Sequence, residues 1–150
     1  MLARGLQILW LTGITMKSNE FHVRLADRSL DIIAVDDMRS MRWRVHRLMS
    51  RYGQRIRVAS NGRQALQLAT CAPPDLLITD LEMPGGDGFG LICALRRSND
   101  ARLRSLPIVV CSSRGDELYL DRALEVGADL FVTKPLNARE LQIALENLGD

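Results

Sequence analysis

From Leu30 onward the chain alternates short, uninterrupted apolar runs with longer stretches in which apolar positions recur every three to four residues. The first pattern predicts buried strands and the second amphipathic helices. Leu30 to Val35 is a strand ending at Asp36-Asp37. A helix follows over Arg39 to Tyr52, with Met41, Val45, Leu48, Met49 and Tyr52 near one face and Gly53 as its stop. Arg55 to Ala59 is a second strand. Asn61-Gly62 breaks the chain before a helix over Arg63 to Cys71, which Pro73-Pro74 ends. Asp75 to Thr79 is a third strand, running into Asp80. Met83 to Gly86 is a loop, and Asp87 to Arg97 a third helix. Pro107 opens the fourth strand, Ile108 to Cys111, with Ser112 and Ser113 after it. A helix from Asp116 to Val126 stops at Gly127. Leu130 to Val132 is the fifth strand, followed by Lys134-Pro135. Asn137 caps a last helix with Glu140 as its capping-box partner, and Leu141, Leu145 and Leu148 form its apolar face.

Strands that are apolar throughout and alternate with helices imply a parallel sheet covered on both faces. Right-handed crossovers make such a sheet doubly wound. Its site lies beyond the carboxyl ends of the strands. Asp36 and Asp37 follow the first strand, Asp80 the third, Ser112 the fourth and Lys134 the fifth. The topology thus brings polar residues from four strand ends to one edge of the sheet.

Composition narrows the setting without changing this picture. A chain of 150 residues, 47% hydrophobic and 25% charged, suits one globular domain. Aromatics make up 5%, so the core must be aliphatic. The net charge of +2 does not suggest nucleic acid, although arginines crowd the stretch from Arg39 to Arg57. Cys71, Cys93 and Cys111 lack the paired spacing of a zinc site and read as small buried hydrophobes in a reducing compartment. No run is long enough to span a membrane. Residues 1–29 read as a poorly ordered extension outside a folded domain of residues 30–150, with Met16 as an alternative start. Two other readings stand beside it. Leu2, Leu6, Leu9, Trp10 and Ile14 share a helical face that would suit docking. Arg4 ahead of the apolar stretch Leu6 to Met16 loosely fits an export signal, without a small-residue cleavage site.

Three carboxylates at neighbouring strand ends repel one another unless a cation compensates. All-oxygen ligation suits a hard ion such as Mg²⁺. Lys134 adds a fixed positive charge. Together these would prepare Asp80, a weak nucleophile when unaided, to attack phosphorus. Mg²⁺, Lys134 and the Ser112 hydroxyl would each take a peripheral oxygen of the transferred group. Taken singly, each residue also fits a plainer role. An aspartate at a strand end is often a helix cap, a lysine a solvated surface residue, and a serine a turn residue. Their joint order, each at the same end of its strand, is what points to chemistry.

The motifs then become specific. The acidic pair Asp36-Asp37, Asp80-Leu81-Glu82-Met83-Pro84 with Gly85-Gly86-Asp87-Gly88, Pro107 to Ser113, Gly127-Ala128-Asp129 and Lys134-Pro135 all stand in the order and spacing of a response-regulator receiver domain, which residues from about 30 to 149 resemble. The resemblance implies a flavodoxin-like five-stranded sheet of order 2-1-3-4-5, counted from Leu30. It implies that Asp80 is the phospho-acceptor. Asp37, Asp80 and the backbone carbonyl of Glu82 would contact Mg²⁺ directly, with Asp36 acting through water. Ser112 would be the switch hydroxyl and Phe131 the switch aromatic, moving together on phosphorylation. Lys134 would pair with the phosphoryl group, before a cis peptide at Pro135. Glu82 and Arg114 occupy positions that tune phosphoryl lifetime, and their opposite charges suggest a pair across the site mouth.

By the same resemblance the chain is a cytoplasmic signalling module of a two-component or phosphorelay system rather than an enzyme. Its donor would be a histidine kinase or a histidine-phosphotransfer protein. No output motif follows the last helix, so the expectation is a single-domain regulator acting on a downstream protein, without direct nucleic-acid binding. The first helix, with Arg39, Arg42, Arg44, Arg47, Arg51, Trp43 and His46, belongs to the family's donor-docking surface, where its charge would steer an acidic partner. A solvated basic face is the plain counterpart. The alternative function is a pseudo-receiver that binds partners without phosphorylation. A dehalogenase-type phosphatase would need a second Asp where Glu82 stands, and a flavin module would need a phosphate-cradling loop where Asp36-Asp37 stands.

Overall fold

The computed structural model describes residues 6–9, 14–17, 29–50, 54–83, 88–113 and 115–134, the first two segments as backbone only. Among these residues seven strands form one sheet: β1 (Leu6–Leu9), β2 (Ile14–Lys17), β3 (Asp31–Val35), β4 (Arg55–Ala59), β5 (Leu76–Thr79), β6 (Ile108–Ser112) and β7 (Leu130–Thr133). The helices are α1 (Arg39–Ser50), α2 (Gly62–Cys71), α3 (Gly88–Arg96), the short α4 (Ala101–Arg104) and α5 (Glu117–Val126). The sheet order is β1-β2-β7-β6-β5-β3-β4. From β3 onward every pairing is parallel, which is the expected order 2-1-3-4-5.

Residues 76–79 and 108–112 are buried at every position, as strands covered on both faces require. Alternate side chains divide between two cores. Ile32, Ala34, Ile78, Val109 and Val132 pack with Val45 and Met49 of α1 on one face. Ile33, Val35, Leu77, Val110 and Phe131 pack with residues of α2, α3 and α5 on the other.

Local chemistry sets the helix ends. Asn61 caps α2 by accepting from the Gln64 amide at 2.8 Å, while the Gln64 side chain accepts from the Ser60 amide at 2.7 Å. Asp116 caps α5 through the Tyr119 amide. Gly127 ends α5 at φ +122°, a left-handed conformation that glycine adopts without a Cβ penalty.

Two features differ from the expectations. The helix α4, capped by Asp100, fills what reads as a plain connection before Pro107. The segment before Leu30, expected outside the domain, carries an antiparallel pair: β2 runs along β7 with Ile14 opposite Val132, Thr15 opposite Phe131 and Met16 opposite Leu130. The reason is the free edge of β7, whose outward N–H and C=O groups the strand pair satisfies. The end of the first predicted helix, the whole of the last one from Asn137 onward, the loop at 84–87 and the Lys134-Pro135 bond lie outside the described residues.

Candidate functional site

The parallel register brings the ends of β3, β5, β6 and β7 level. Asp36 donates its amide to the Ala59 carbonyl at 3.1 Å, and Asp80 donates to Val35 at 3.0 Å, so both carboxylates leave the sheet just as the ladder ends. Lys134 donates its amide to the Ser112 carbonyl at 2.8 Å, which fixes the lysine one step beyond β6. The Lys134 Nζ then reaches across the sheet end, 2.7 Å from Asp36 Oδ2 and 3.0 Å from Asp80 Oδ2.

The remaining carboxylate oxygens are held by backbone. Asp80 Oδ1 accepts from the Leu81 amide at 2.7 Å and the Glu82 amide at 3.3 Å. Asp36 Oδ1 accepts from the Met38 amide at 2.9 Å. Arg42 donates to the Asp36 carbonyl oxygen at 2.8 Å, and Thr79 Oγ1 donates to that of Asp80 at 2.8 Å. Asp36 and Asp80 are only 6% and 7% exposed, so these donors replace most of their water. The site is a shallow cleft, with Ala34, Ile78 and Cys111 as its apolar floor.

Asp37 is exposed at the rim. One carboxylate oxygen each from Asp36, Asp37 and Asp80 lies within 4.8 Å of the other two. The three carboxylates outnumber the Lys134 ammonium and the Arg42 guanidinium beside them, which leaves an excess of negative charge among oxygen donors. That excess fits a hard divalent cation. Burial alone would lower the Lys134 ammonium, but its hydrogen bonds to Asp36 and Asp80, with their charges, hold it above the usual lysine range. Burial pushes the neighbouring Cys111 thiol up to about 12; Lys134 opposes this and the two aspartates add to it.

The structure therefore brings Asp36, Asp37, Asp80 and Lys134 into one cluster. Ser112 is fully buried at the end of β6, and Phe131 is fully buried in β7 within the core of the α2, α3 and α5 face. Glu82 is exposed beside Asp80. Arg114 lies outside the described residues. Sequence reasoning missed two supports, Arg42 and the packing of Gly88. A Cβ on Gly88 would overlap the Asp80 carbonyl oxygen, so glycine is required there for α3 to sit against the site. Its presence in the Gly85-Gly86-Asp87-Gly88 run was the available signal.

Comparisons with known proteins agree with this geometry. The family model described as response regulator receiver domain matches residues 32–146. The transcriptional regulatory protein AfsQ1 of Streptomyces coelicolor is 32% identical over 110 residues, 73% of this chain and 47% of its own length. A probable transcriptional regulator, ycf27, of Cyanophora paradoxa is 32% identical over 117 residues, 78% of this chain and 47% of its own. The chain thus spans about half the length of the curated relatives it matches. The solved chemotaxis protein CheY4 of Vibrio cholerae superposes with a TM-score of 0.74 at 28% identity, covering 81% of this chain and 99% of that one. The signal receiver domain of a histidine kinase from Syntrophus aciditrophicus gives 0.71 at 29% identity, covering 81% and 90%.

Proposed function

Because the chain belongs to the response regulator receiver-domain family, we propose that Asp80 accepts a phosphoryl group from a phosphohistidine on a histidine kinase or histidine-phosphotransfer protein. The observation that carries this reading is the joint hold on Asp80: two backbone amides on Oδ1 and the Lys134 ammonium on Oδ2. They fix the carboxylate's orientation before the donor arrives.

In the step itself a carboxylate oxygen of Asp80 forms a bond to phosphorus as the phosphorus–nitrogen bond of the donor breaks. The bonding pair leaves with the imidazole nitrogen, and the product is an acyl phosphate on Asp80. Lys134 stays protonated throughout, since its two carboxylate partners favour the charged form, and it can follow the charge onto the phosphoryl oxygens. Asp36, Asp37 and Asp80, with the Glu82 carbonyl, would hold Mg²⁺. That ion, when bound, neutralises charge on the phosphoryl oxygens.

The reading continues to the output. Ser112 moves toward the phosphoryl group, Phe131 shifts with it, and the surface over α5 and β7 changes for a downstream protein partner. Ser112 and Phe131 stand one strand apart, on the adjacent β6 and β7, so a shift at one has a short path to the other. The domain acts as a cytoplasmic signalling module rather than as a turnover enzyme. Retention of the acceptor, both acidic neighbours and the lysine favours this over a phosphorylation-independent pseudo-receiver.

The test is intact mass after incubation with acetyl phosphate, with and without Mg²⁺, beside Asp80→Asn. One Mg²⁺-dependent phosphoryl addition, absent from the variant, is expected. No addition from either acetyl phosphate or a phosphorylated histidine donor would overturn the reading.

A further inference from the structure

Among the described residues, three of the four exposed large hydrophobic residues, Met38, Trp43 and Val58, lie on α1, at its entrance, or on the strand beside it. Trp43 is 62% exposed and Val58 is 41% exposed. An open groove runs between α1 and β4, lined by Arg39, Arg42, Trp43, His46 and Val58. The helix has no acidic residue from Arg39 to Ser50. Among the described residues no carboxylate pairs with Arg39 or Arg47, and Arg47 instead lies over the Trp43 ring at 5.3 Å.

The other wall is a sheet edge. Among the described residues β4 is the terminal strand and pairs with β3 alone. Arg55 donates to the Leu30 carbonyl and Ala59 accepts from Asp36, so the parallel alternation turns Arg55, Arg57 and Ala59 toward β3. Ile56 and Val58 then direct their amides and carbonyls outward. This edge, the apolar side chains and the arginines each recognise something different. An open strand edge accepts an extended main chain. Trp43 and Val58 offer a surface for one apolar anchor. Arginines match carboxylates in bidentate geometry.

We infer that the groove between α1 and β4 binds an extended acidic segment of a partner protein, with an apolar side chain seated beside Trp43 and Val58. Nucleic acid fits less well. The basic residues that line the groove lie on one helix, Asp36 and Asp37 stand at its start, and phosphates make no use of Val58 or a strand edge. Arg42 lines the groove and also donates to the Asp36 carbonyl oxygen, so a bound segment touches a residue that braces the acidic cleft. The binding does not depend on phosphorylation of Asp80.

The test begins with selection of random peptides of about twelve residues, displayed on phage, against the intact chain. Enriched peptides should be acidic and carry an aromatic or aliphatic residue. A representative synthetic peptide should bind roughly ten-fold more weakly to Arg39→Glu/Arg47→Glu and to Trp43→Ala, about the ratio one strong contact supplies. Arg63→Glu, on the exposed part of α2, and Asp80→Asn should bind it unchanged. The unchanged Asp80→Asn result separates this inference from the phosphotransfer reading. Neutral or basic enriched peptides, no enrichment, affinity indifferent to the α1 variants, or displacement by a tighter-binding single-stranded oligonucleotide would each overturn it.

Discussion

Gly88 sits so close to the backbone of Asp80 that an added Cβ would overlap the Asp80 carbonyl oxygen and stand 2.8 Å from the Leu81 α-carbon. The Gly88 amide also donates to the Leu81 carbonyl at 3.0 Å. The first turn of α3 is thereby seated on the loop that presents the acceptor. Gly88→Ala must move one or the other. Overpacking of this kind destabilises by about 1–3 kcal/mol. Because the displaced atoms belong to Asp80, phosphoryl transfer should fall further than stability does. A lower urea midpoint with an acetyl phosphate labelling rate reduced about ten-fold is expected. Unchanged labelling would show that α3 yields instead of the loop.

Lys134 is shared between Asp36 and Asp80, and its removal leaves two nearly buried carboxylates facing one another. Loss of one partner from such a group is strongly destabilising because the remaining charges are uncompensated. Lys134→Met should therefore lower stability most at neutral pH and less at acid pH, where protonating a carboxylate relieves the repulsion. Labelling of Asp80 should fall at least about ten-fold. Urea titrations at several pH values test the first part and intact mass the second. A stability loss equal at all pH values would remove the electrostatic explanation.

Much of this was legible in the sequence, for a physical reason. Strands buried on both faces must be apolar at every position, so Leu-Leu-Ile before Asp80 and Ile-Val-Val-Cys before Ser112 could hardly be anything else. Their shared direction then puts the following polar residues together. What stayed hidden depends on close approach or on long side chains. The need for glycine at position 88 is a tertiary contact. Nothing in the pattern singles out Arg96 within the third predicted helix, yet its long side chain reaches the carbonyls of Leu106 and Gly127. The helix α4 has four residues, too few for a period to show. The strand β2 takes its partner from β7 and β1 takes its own from β2, and such short segments carry no periodicity that separates strand from helix.

Burial raises the Cys111 thiol to about 12 from an ordinary 9.0, so the folded state keeps its proton where the unfolded chain loses it. The stability this contributes is complete below pH 9 and is lost as pH rises toward 12. Lys134, also raised, acts in the same direction but only above its ordinary 10.5. Between those two onsets Cys111 contributes to the decline. Cys111→Ala should flatten the dependence of the urea midpoint on pH in that interval, whatever it does to the absolute value. Alkylation of the native protein should modify the exposed Cys71 first and leave Cys111 intact. Early modification of Cys111 would contradict the burial.

Arg96 joins three parts of the fold that the acidic cleft does not touch. Its guanidinium donates to the Gly127 carbonyl at 2.8 and 3.1 Å, to Leu106 at 2.7 Å and to Arg104 at 3.0 Å, and it pairs with Asp129 at 2.9 Å. Asp129 also accepts from the Ile108 amide at 2.8 Å, which ties the end of α5 to the start of β6. Burial lowers the Arg96 guanidinium while Asp129 raises it, with burial the larger effect, so the network spends part of its attraction on desolvation. Arg96→Met removes the donor that those carbonyls share and the ion pair of Asp129, which keeps its bond from the Ile108 amide. A loss of about 1.5–3 kcal/mol is expected, in the range for deleting hydrogen bonds to a charged group. Adding Asp129→Asn should cost less in the Arg96→Met background than alone, since the partner is already gone. Labelling of Asp80 should persist in both variants under conditions where they remain folded. A strictly additive double-mutant cycle would show that the two side chains act independently.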